Sequence, residues 1–376
     1  MKHLPKLSLY IHIPWCIKKC FYCDFNNYLY KSNIQEQKYI DHLLLDLEQN
    51  LHFSYGRNIA TIFIGGGTPS LLSINALEKL LFGISKHLLL LSNLEITIEV
   101  NPGTVTEEHL ISYKNIGITR ISLGVQTFNT KQLIKLGRIH QPTEATNTAL
   151  LVSNIGFNSL NLDLMYGLPN QTINQSLNDL RNAIALVPQH ISWYQLVIEP
   201  KTIFGYNPPQ LPNEEILWDI YNQGHELLIT SGYQQYEISN YAKPGYQCLH
   251  NINYWRFGDY LGIGCGAHSK LTQVDGTVLR IVKKKHPLVY MDGKYVEKYY
   301  QVSQIDLPFE YFMNRFRLLE TIPRQEFTKL TSLNESTIRF ALDQALSYGY
   351  IYESDTTWTI TEHGKLFLNS LLELFI

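Results

Sequence analysis

A chain of 376 residues with 45% hydrophobic and 17% charged residues has the composition of a folded globular protein, with room for one large domain and a smaller one. Its 31 Lys and Arg stand against 33 Asp and Glu, which excludes the broad positive field of a nucleic-acid or anionic-membrane binder. Five cysteines in a chain this long do not make a disulfide framework, and a reducing cytoplasm is the natural setting.

Met1 to Lys6 is mostly polar and reads as no secretory signal. Apolar runs such as Ala183–Val187 and Leu88–Leu91 are too short for a membrane span. "LSLYIHIP" alternates and is β-branched, so it predicts a strand; Glu36 to Asn50 has helical spacing. "ATIFIGGGTP" reads as a buried strand ending in glycines, followed by a helix that Ser73 caps. "LEITIEVNP" is the third strand, with a helix from Thr106 to Asn115; "TRISLGVQTF" is the fourth, with helices over 130–136 and 143–155. "NSLNLDLMYGLP" and "HISWYQLVIEP" are the fifth and sixth, separated by a helix over 173–187.

Six β/α repeats imply a parallel sheet, either curled wholly or partly into a barrel or open and doubly wound. Functional residues then gather at the carboxyl ends of the strands. Cys16, Gly65 to Thr68, Glu99, Gln126 and Asp163 all fall at or near such ends. After Pro200 the pattern breaks: a helix is expected over 214–230, then an aromatic and glycine-rich stretch with little periodicity. The basic run "KKKH" (Lys283–His286) reads as a solvated loop. From Leu307 the order is three helices, a hairpin and a last helix, which is winged-helix-like. The segment in the recognition-helix position carries Glu335 and Asp343 against Arg339, so a structural or docking module is expected rather than a DNA reader.

"PWCIKKCFYCDF" places Cys16, Cys20 and Cys23 as C-x3-C-x2-C, with Phe25 where a fourth cysteine would fit. Zinc sites pair cysteines with a second, distant pair, and Cys248 and Cys265 form none. A 4Fe–4S cluster wants a thiolate on each iron. Three thiolates leave one iron open, and the amino and carboxylate groups of a small molecule would chelate it. "GGGTP" lacks the Lys-Ser/Thr pair of a phosphate loop. Glu99, Gln126, Arg138 and Asp163 together suit a zwitterion carrying a ribose: carboxylate for ammonium, guanidinium for carboxylate, Asp for vicinal hydroxyls. Arg138 lies in a helical or loop region, so a surface position is the alternative for it.

The cysteine motif, with an aromatic before its last Cys, resembles the radical S-adenosylmethionine superfamily. "YIHIPWC", "GGGTPS", "EVNP", "SLGVQTF", "LDLMYGLP" and "HNINYWRFGDYLGIG" resemble the coproporphyrinogen-oxidase-like branch, and within it the haem chaperone family often called HemW, over nearly the whole chain. The resemblance implies a partial (β/α)6 TIM-like barrel with 4Fe–4S and S-adenosylmethionine sites over 1–200. It further implies an extension with an HNxxYW motif over 201–300 and an α+β winged-helix-like domain over 301–376. It implies cluster ligation by Cys16, Cys20 and Cys23, and S-adenosylmethionine binding by Tyr10, Tyr22, Gly66, Gly67, Thr68, Glu99, Gln126, Arg138 and Asp163. Haem contact falls to His250, Asn251, Tyr254 and Trp255, with Cys248 as an alternative thiolate; Cys265 reads as a small apolar filler.

The function this implies is a haem chaperone that passes haem to an acceptor protein, with no nucleic-acid partner, no membrane segment, and a homodimer left open. The alternative is a radical enzyme acting on a tetrapyrrole, such as the oxygen-independent coproporphyrinogen III oxidase. That enzyme's motif carries a fourth cysteine at the place of Phe25, and it has a long segment before its cluster, whereas Cys16 comes early here. Both differences count against decarboxylation, and no residue is assigned a catalytic role.

Overall fold

Leu7, Leu9, Ile11 and Ile13 alternate with Ser8, Tyr10 and His12 along the first strand, β1 (Leu7–Ile13), and the odd set is wholly buried. The computed structural model describes residues 4–30 and 34–376, so Met1 to His3 of the polar N-terminal stretch lie outside the described residues. The same two-residue alternation runs through β2 (Ile59–Gly66), β3 (Leu90–Val100), β4 (Arg120–Gln126), β5 (Ser159–Tyr166) and β6 (His190–Gln195). Ile11, Ile64, Ile98, Leu123 and Leu162 belong to one apolar core with Leu43 of α1 (Glu36–Asn50), Leu80 of α2 (Ile74–His87) and Leu110 of α3 (Glu107–Asn115). Burying each such side chain is worth roughly 1.5–3 kcal/mol. Ser73 caps α2 by accepting from Ala76 N, as its position predicts. The remaining crossovers are α4 (Thr130–Leu136), α5 (Pro142–Ile155) and α6 (Ile173–Ala185).

The strands run in chain order from β1 to β6, all parallel. A doubly wound sheet reverses its order at a switch point; the uninterrupted order here is that of a barrel. It does not close. Past β6 it continues antiparallel into β8 (Asn240–Ala242) and β7 (Gln234–Glu237), which follow α7 (Glu214–Thr230). Beside β1 it adds a seventh parallel strand, β9 (Asp259–Ile263), then the antiparallel β10 (His268–Thr272), β11 (Val278–Lys283) and β12 (Val296–Gln301). The stretch after Pro200 therefore supplies strands to both sheet edges. They are short, and their alternation is masked by glycine and by buried polar residues such as Asp259 and Lys270.

The inner face of the sheet is polar. Register places Tyr10 beside Phe63, Phe63 beside Thr97 and Thr97 beside Arg120. A second row runs Glu99, Ser122, Asn161, His190, and a third runs Gly124, Asp163, Ser192. A short helix, α8 (Leu249–Trp255), covers the bottom of this face. Glu95 of β3 accepts the backbone N–H of Leu249 (3.1 Å) and of His250 (3.0 Å). Asn253 donates to Ser8 Oγ at 2.9 Å.

A second core, with Phe312, Phe316, Phe327, Trp358 and Phe375, holds α9 (Leu307–Arg315), α10 (Arg324–Thr331) and α11 (Arg339–Ser347) against a three-stranded sheet. This is a winged-helix-like α+β unit. Arg339 of α11 is held by Asp343 and Glu353, each at 2.8 Å. Among the described residues no helix is long and apolar enough to cross a membrane.

Asp259 opens β9 and is fully buried. It accepts from Arg57 (2.7 Å), Lys270 (3.2 Å), and the N–H and hydroxyl of Thr272 (3.0 and 2.8 Å). Removing one partner of a buried pair strands the other charge. Asp259→Ala should therefore cost ~3–5 kcal/mol in urea denaturation, and adding Lys270→Met should recover part of that loss.

Candidate functional site

The cysteine loop is pinned at both ends. Tyr28 N donates to Pro14 O (2.7 Å) and Tyr30 N to Cys16 O (2.8 Å), so residues 16–28 close on themselves. Phe21 N bonds Leu136 O (3.0 Å), docking the loop beside α4. Cys16, Cys20 and Cys23 are all free thiols. Burial, then the neighbouring Cys23 and Cys20, push Cys16 up to about 11, and burial raises Cys23, which accepts from Asn27 Nδ2 at 3.1 Å. Among the described residues no three His, Cys, Asp or Glu side chains converge on a single-ion position. A cuboidal cluster makes a different demand, since each thiolate takes its own iron.

His12, which the sequence reading passed over, anchors this loop to β1. Its Nε2 bonds Asn26 O (2.8 Å), which leaves Nδ1 to accept the Tyr10 hydroxyl (3.0 Å). Asn26 in turn donates to Cys265 O (3.0 Å) and Lys285 O (2.9 Å). Strand alternation would have found His12, two residues after Tyr10. Cys265 is buried against the Tyr39 hydroxyl (3.5 Å), in keeping with a packing role.

The glycine loop after β2 is dictated first by the protein's own backbone. Gly66 has φ +120°, and a Cβ there would stand 2.7 Å from both the His12 ring and Ile13 O; a Cβ on Gly67 would stand 2.5 Å from Trp15 O. Gly66 N donates to Glu99 Oε2 (2.9 Å). Glu99 is raised to about 8, by burial first and by Asp163. Thr68 Oγ1 accepts from Asn101 Nδ2 (2.8 Å), a residue the motif "EVNP" contained without the reading singling it out.

Arg138 is half-buried rather than on the surface. Its guanidinium reaches back to Gly124 O, to Asn101 Oδ1 (3.0 Å) and to Cys20 Sγ (3.7 Å), and its Nε has no partner among the described residues. A pocket beside it is lined by Cys20, Thr68, Asn101, Gly137 and His140. Gln126, at φ +66°, accepts from the Tyr194 hydroxyl (2.7 Å). Asp163 is satisfied by Ser122 (3.1 Å) and Asn161 (2.8 Å) on the same face. Tyr22 packs its ring on the apolar group around Leu136, Met165 and Phe204.

A larger cleft of about 910 Å³ joins the two halves of the prediction. Tyr10, Gly66 and Glu99 line it together with His250, Tyr254 and the exposed Phe25. His250 Nδ1 bonds Thr61 Oγ1 (2.8 Å), whose hydroxyl donates to Ser8 (2.7 Å). Nδ1 therefore carries the hydrogen and Nε2 the lone pair. Burial, then Arg120, push the imidazole down to about 3, so it is neutral at pH 7.

The rest of the motif points elsewhere. The Trp255 ring lies under the Arg317 guanidinium (4.5 Å), and Arg317 pairs with Glu237 (3.2 Å), so Trp255 joins α8 to the C-terminal unit. Asn251 is half-buried on α8 and does not line the cleft. Cys248 is corrected as an alternative haem ligand: its thiol is fully buried, faces Glu95 at 3.8 Å and is pushed up to about 12.

A family model described as the radical SAM superfamily matches residues 10–181. A curated Escherichia coli protein, heme chaperone HemW, is 57% identical over 376 residues, covering 100% of both chains. The Haemophilus influenzae protein of that name is 56% identical over 380 residues, covering 100% of this chain and 99% of its own. The Bacillus subtilis one is 34% identical over 380 residues, covering 98% and 99%. Among solved structures, coproporphyrinogen III oxidase (HemN) from Escherichia coli, described as a radical SAM enzyme, matches with TM-score 0.85 over 99% of this chain and 90% of its own. At 22% identity that is a likeness of fold.

Glu99 yields a stability test. Its carboxyl is held near 8 in the folded chain against an ordinary 4.5. A raised acid contributes stability that is present at low pH and lost as pH climbs from 4.5 through 8. Glu99→Gln keeps the acceptor for Gly66 N–H and abolishes the titration. Each tenfold difference in proton affinity between the folded and unfolded chain is worth about 1.4 kcal/mol, and water in the cleft screens part of it. The ligand-free Gln protein should therefore gain ~2 kcal/mol on the parent between about pH 5.5 and 8.5, read from urea midpoints at both values.

Proposed function

The chain belongs to the heme chaperone HemW family of the radical SAM superfamily, and on that premise we propose that it carries haem in the cleft and passes it to an acceptor protein. The observation that carries this reading is one shared cavity: His250, with a lone pair on Nε2, and the flat face of Tyr254 line the same cleft as Tyr10, Gly66 and Glu99. A neutral imidazole is the form that ligates iron. The Thr61 hydroxyl on its far nitrogen fixes the ring and its tautomer, as partners behind metal-bound histidines do.

The residues at the strand ends fit the cofactors of the superfamily. Three free thiols in one closed loop suit a 4Fe–4S cluster with an open iron, and the unpartnered Arg138 Nε suits a carboxylate. Cys16, Cys20 and Cys23 would hold the cluster. Tyr10, Gly66, Gly67, Thr68, Glu99, Gln126, Arg138 and Asp163 would hold S-adenosylmethionine, with Tyr22 beside the last cysteine. When bound, the pair supplies low-potential one-electron chemistry that side chains lack. Glu99 must give up its proton to hold an ammonium, so ligand affinity rises with pH up to about 8. Arg138, fixed by Gly124 O and Asn101, presents its charge without rearrangement.

Phe25 stands exposed in the cleft wall where the oxidase-like motif would carry a further thiolate. An aromatic ring there adds apolar surface for a macrocycle. Five free thiols suit a cytoplasmic setting.

On anaerobically reconstituted protein, His250→Ala should weaken haem binding roughly tenfold or more, or shift the haem absorbance, with cluster iron per chain unchanged. An unaltered haem titration would remove His250 from the site. Decarboxylation of coproporphyrinogen with 5′-deoxyadenosine release, and no tight haem binding, would make the protein an oxidase instead.

A further inference from the structure

The basic run Lys283–His286, expected to be a solvated loop, is largely committed to the fold. Lys283 ends β11, is fully buried and pairs with Asp46 at 2.5 Å. Lys284 pairs with Glu297 at 2.6 Å. His286 accepts from Leu288 N (3.2 Å) and sets its ring edge-on to Tyr28. Lys285 is the exception. Its backbone is held by Asn26, yet its side chain is exposed, lines the cleft and has no ion-pair partner among the described residues.

Two more lysines stand at the same mouth. Lys19, in the cysteine loop, and Lys201 are exposed, line the cleft and likewise have no ion-pair partner among the described residues. Lys201 has φ +67°, uncommon for a residue with a side chain. The following turn, in which Thr202 bonds Glu199 O (2.7 Å) and accepts from Gly205 N (2.9 Å), fixes its exit direction. Against these three ammonium groups the cleft lining sets one exposed carboxylate, Asp24, while Glu297, paired with Lys284, also attracts Lys285 from outside the cleft. The inner end is different: His250 is only 4% exposed and sits beside Tyr254 and Phe63. The cleft is thus aromatic and buried at its base and cationic at its mouth.

We infer that Lys19, Lys201 and Lys285 form a carboxylate clamp at the cleft mouth that takes the propionate groups of an iron tetrapyrrole whose iron is held by His250. This rests on the haem-carrier reading. An unpaired carboxylate taken to the base would lose its water without compensation. At the mouth it keeps water and gains ammonium partners on flexible stems. Exposed pairs of this kind are individually weak and salt-sensitive, which suits a cargo that must leave for an acceptor.

The test uses full-length reconstituted protein and two probes, haem and haem dimethyl ester, which share iron and ring but differ in carboxylates. Lys201→Gln and Lys285→Gln should each weaken haem binding about threefold and the pair about tenfold. Ester affinity should be unchanged, and added salt should weaken haem but not ester binding. Lys79→Gln, far from the cleft, should alter neither. Equal losses for both probes, or no loss of haem affinity in the double variant, would overturn the clamp. If ester binding still depends on His250 in that case, only the clamp falls; if the parent protein binds neither probe, the carrier reading falls and the clamp with it.

Discussion

A parallel strand throws alternate side chains to opposite faces, and in this chain the inward set is polar along six consecutive strands. That single constraint shapes the rest. Buried polar groups need partners, and neighbouring strands supply them in register: Asn161 bonds Ser122 and Asp163, and His190 bonds Asn161. A face of this kind cannot pack against apolar helices. It has to become the lining of a barrel, while the odd residues of β1 and their counterparts build the outer core.

The open side of the barrel is covered by α8, and the way it is held matters for function. Glu95 receives its first backbone N–H groups, Thr61 and Ser8 take its inner side chains, and Trp255 under Arg317 ties its far end to the C-terminal unit. The HNxxYW segment is therefore mostly a mounting. Two of its side chains, His250 and Tyr254, face the cleft, and the others keep the helix in place. Holding a single imidazole with its lone pair outward at the base of a cavity needs that much support, because a free helix this short would not persist alone.

Burial also sets the protonation of the site. Cys16 is pushed up to about 11 and Glu99 to about 8, while His250 is pushed down to about 3. All three displacements favour the neutral form, which is the economical state of an unliganded interior. Ligands that demand thiolate or carboxylate must displace protons. Iron and an ammonium group do so through strong local charge. The histidine needs no such change, because its neutral form already carries a lone pair on Nε2 at neutral pH.

The six β/α repeats, the Ser73 cap, the helices over 36–50 and 214–230, and the winged-helix-like end were legible in the sequence, because periodicity and capping are local. So were the cysteine loop and the placing of site residues at strand ends. His12 and Asn101 lay within reach, one by alternation and one inside a quoted motif. Other features depended on contacts far apart in sequence. No local pattern said that β9 runs parallel beside β1, since its buried Asp259 is satisfied by Arg57 and Lys270. Nothing near Arg138 said that it reaches Gly124 and Cys20. The glycines of the loop after β2 were legible as a motif, but only the fold showed that His12, Ile13 and Trp15 crowd them. The chain by itself determined which elements form and which chemistry is present; tertiary structure decided which groups share a cavity, because burial and register are properties of strands brought together.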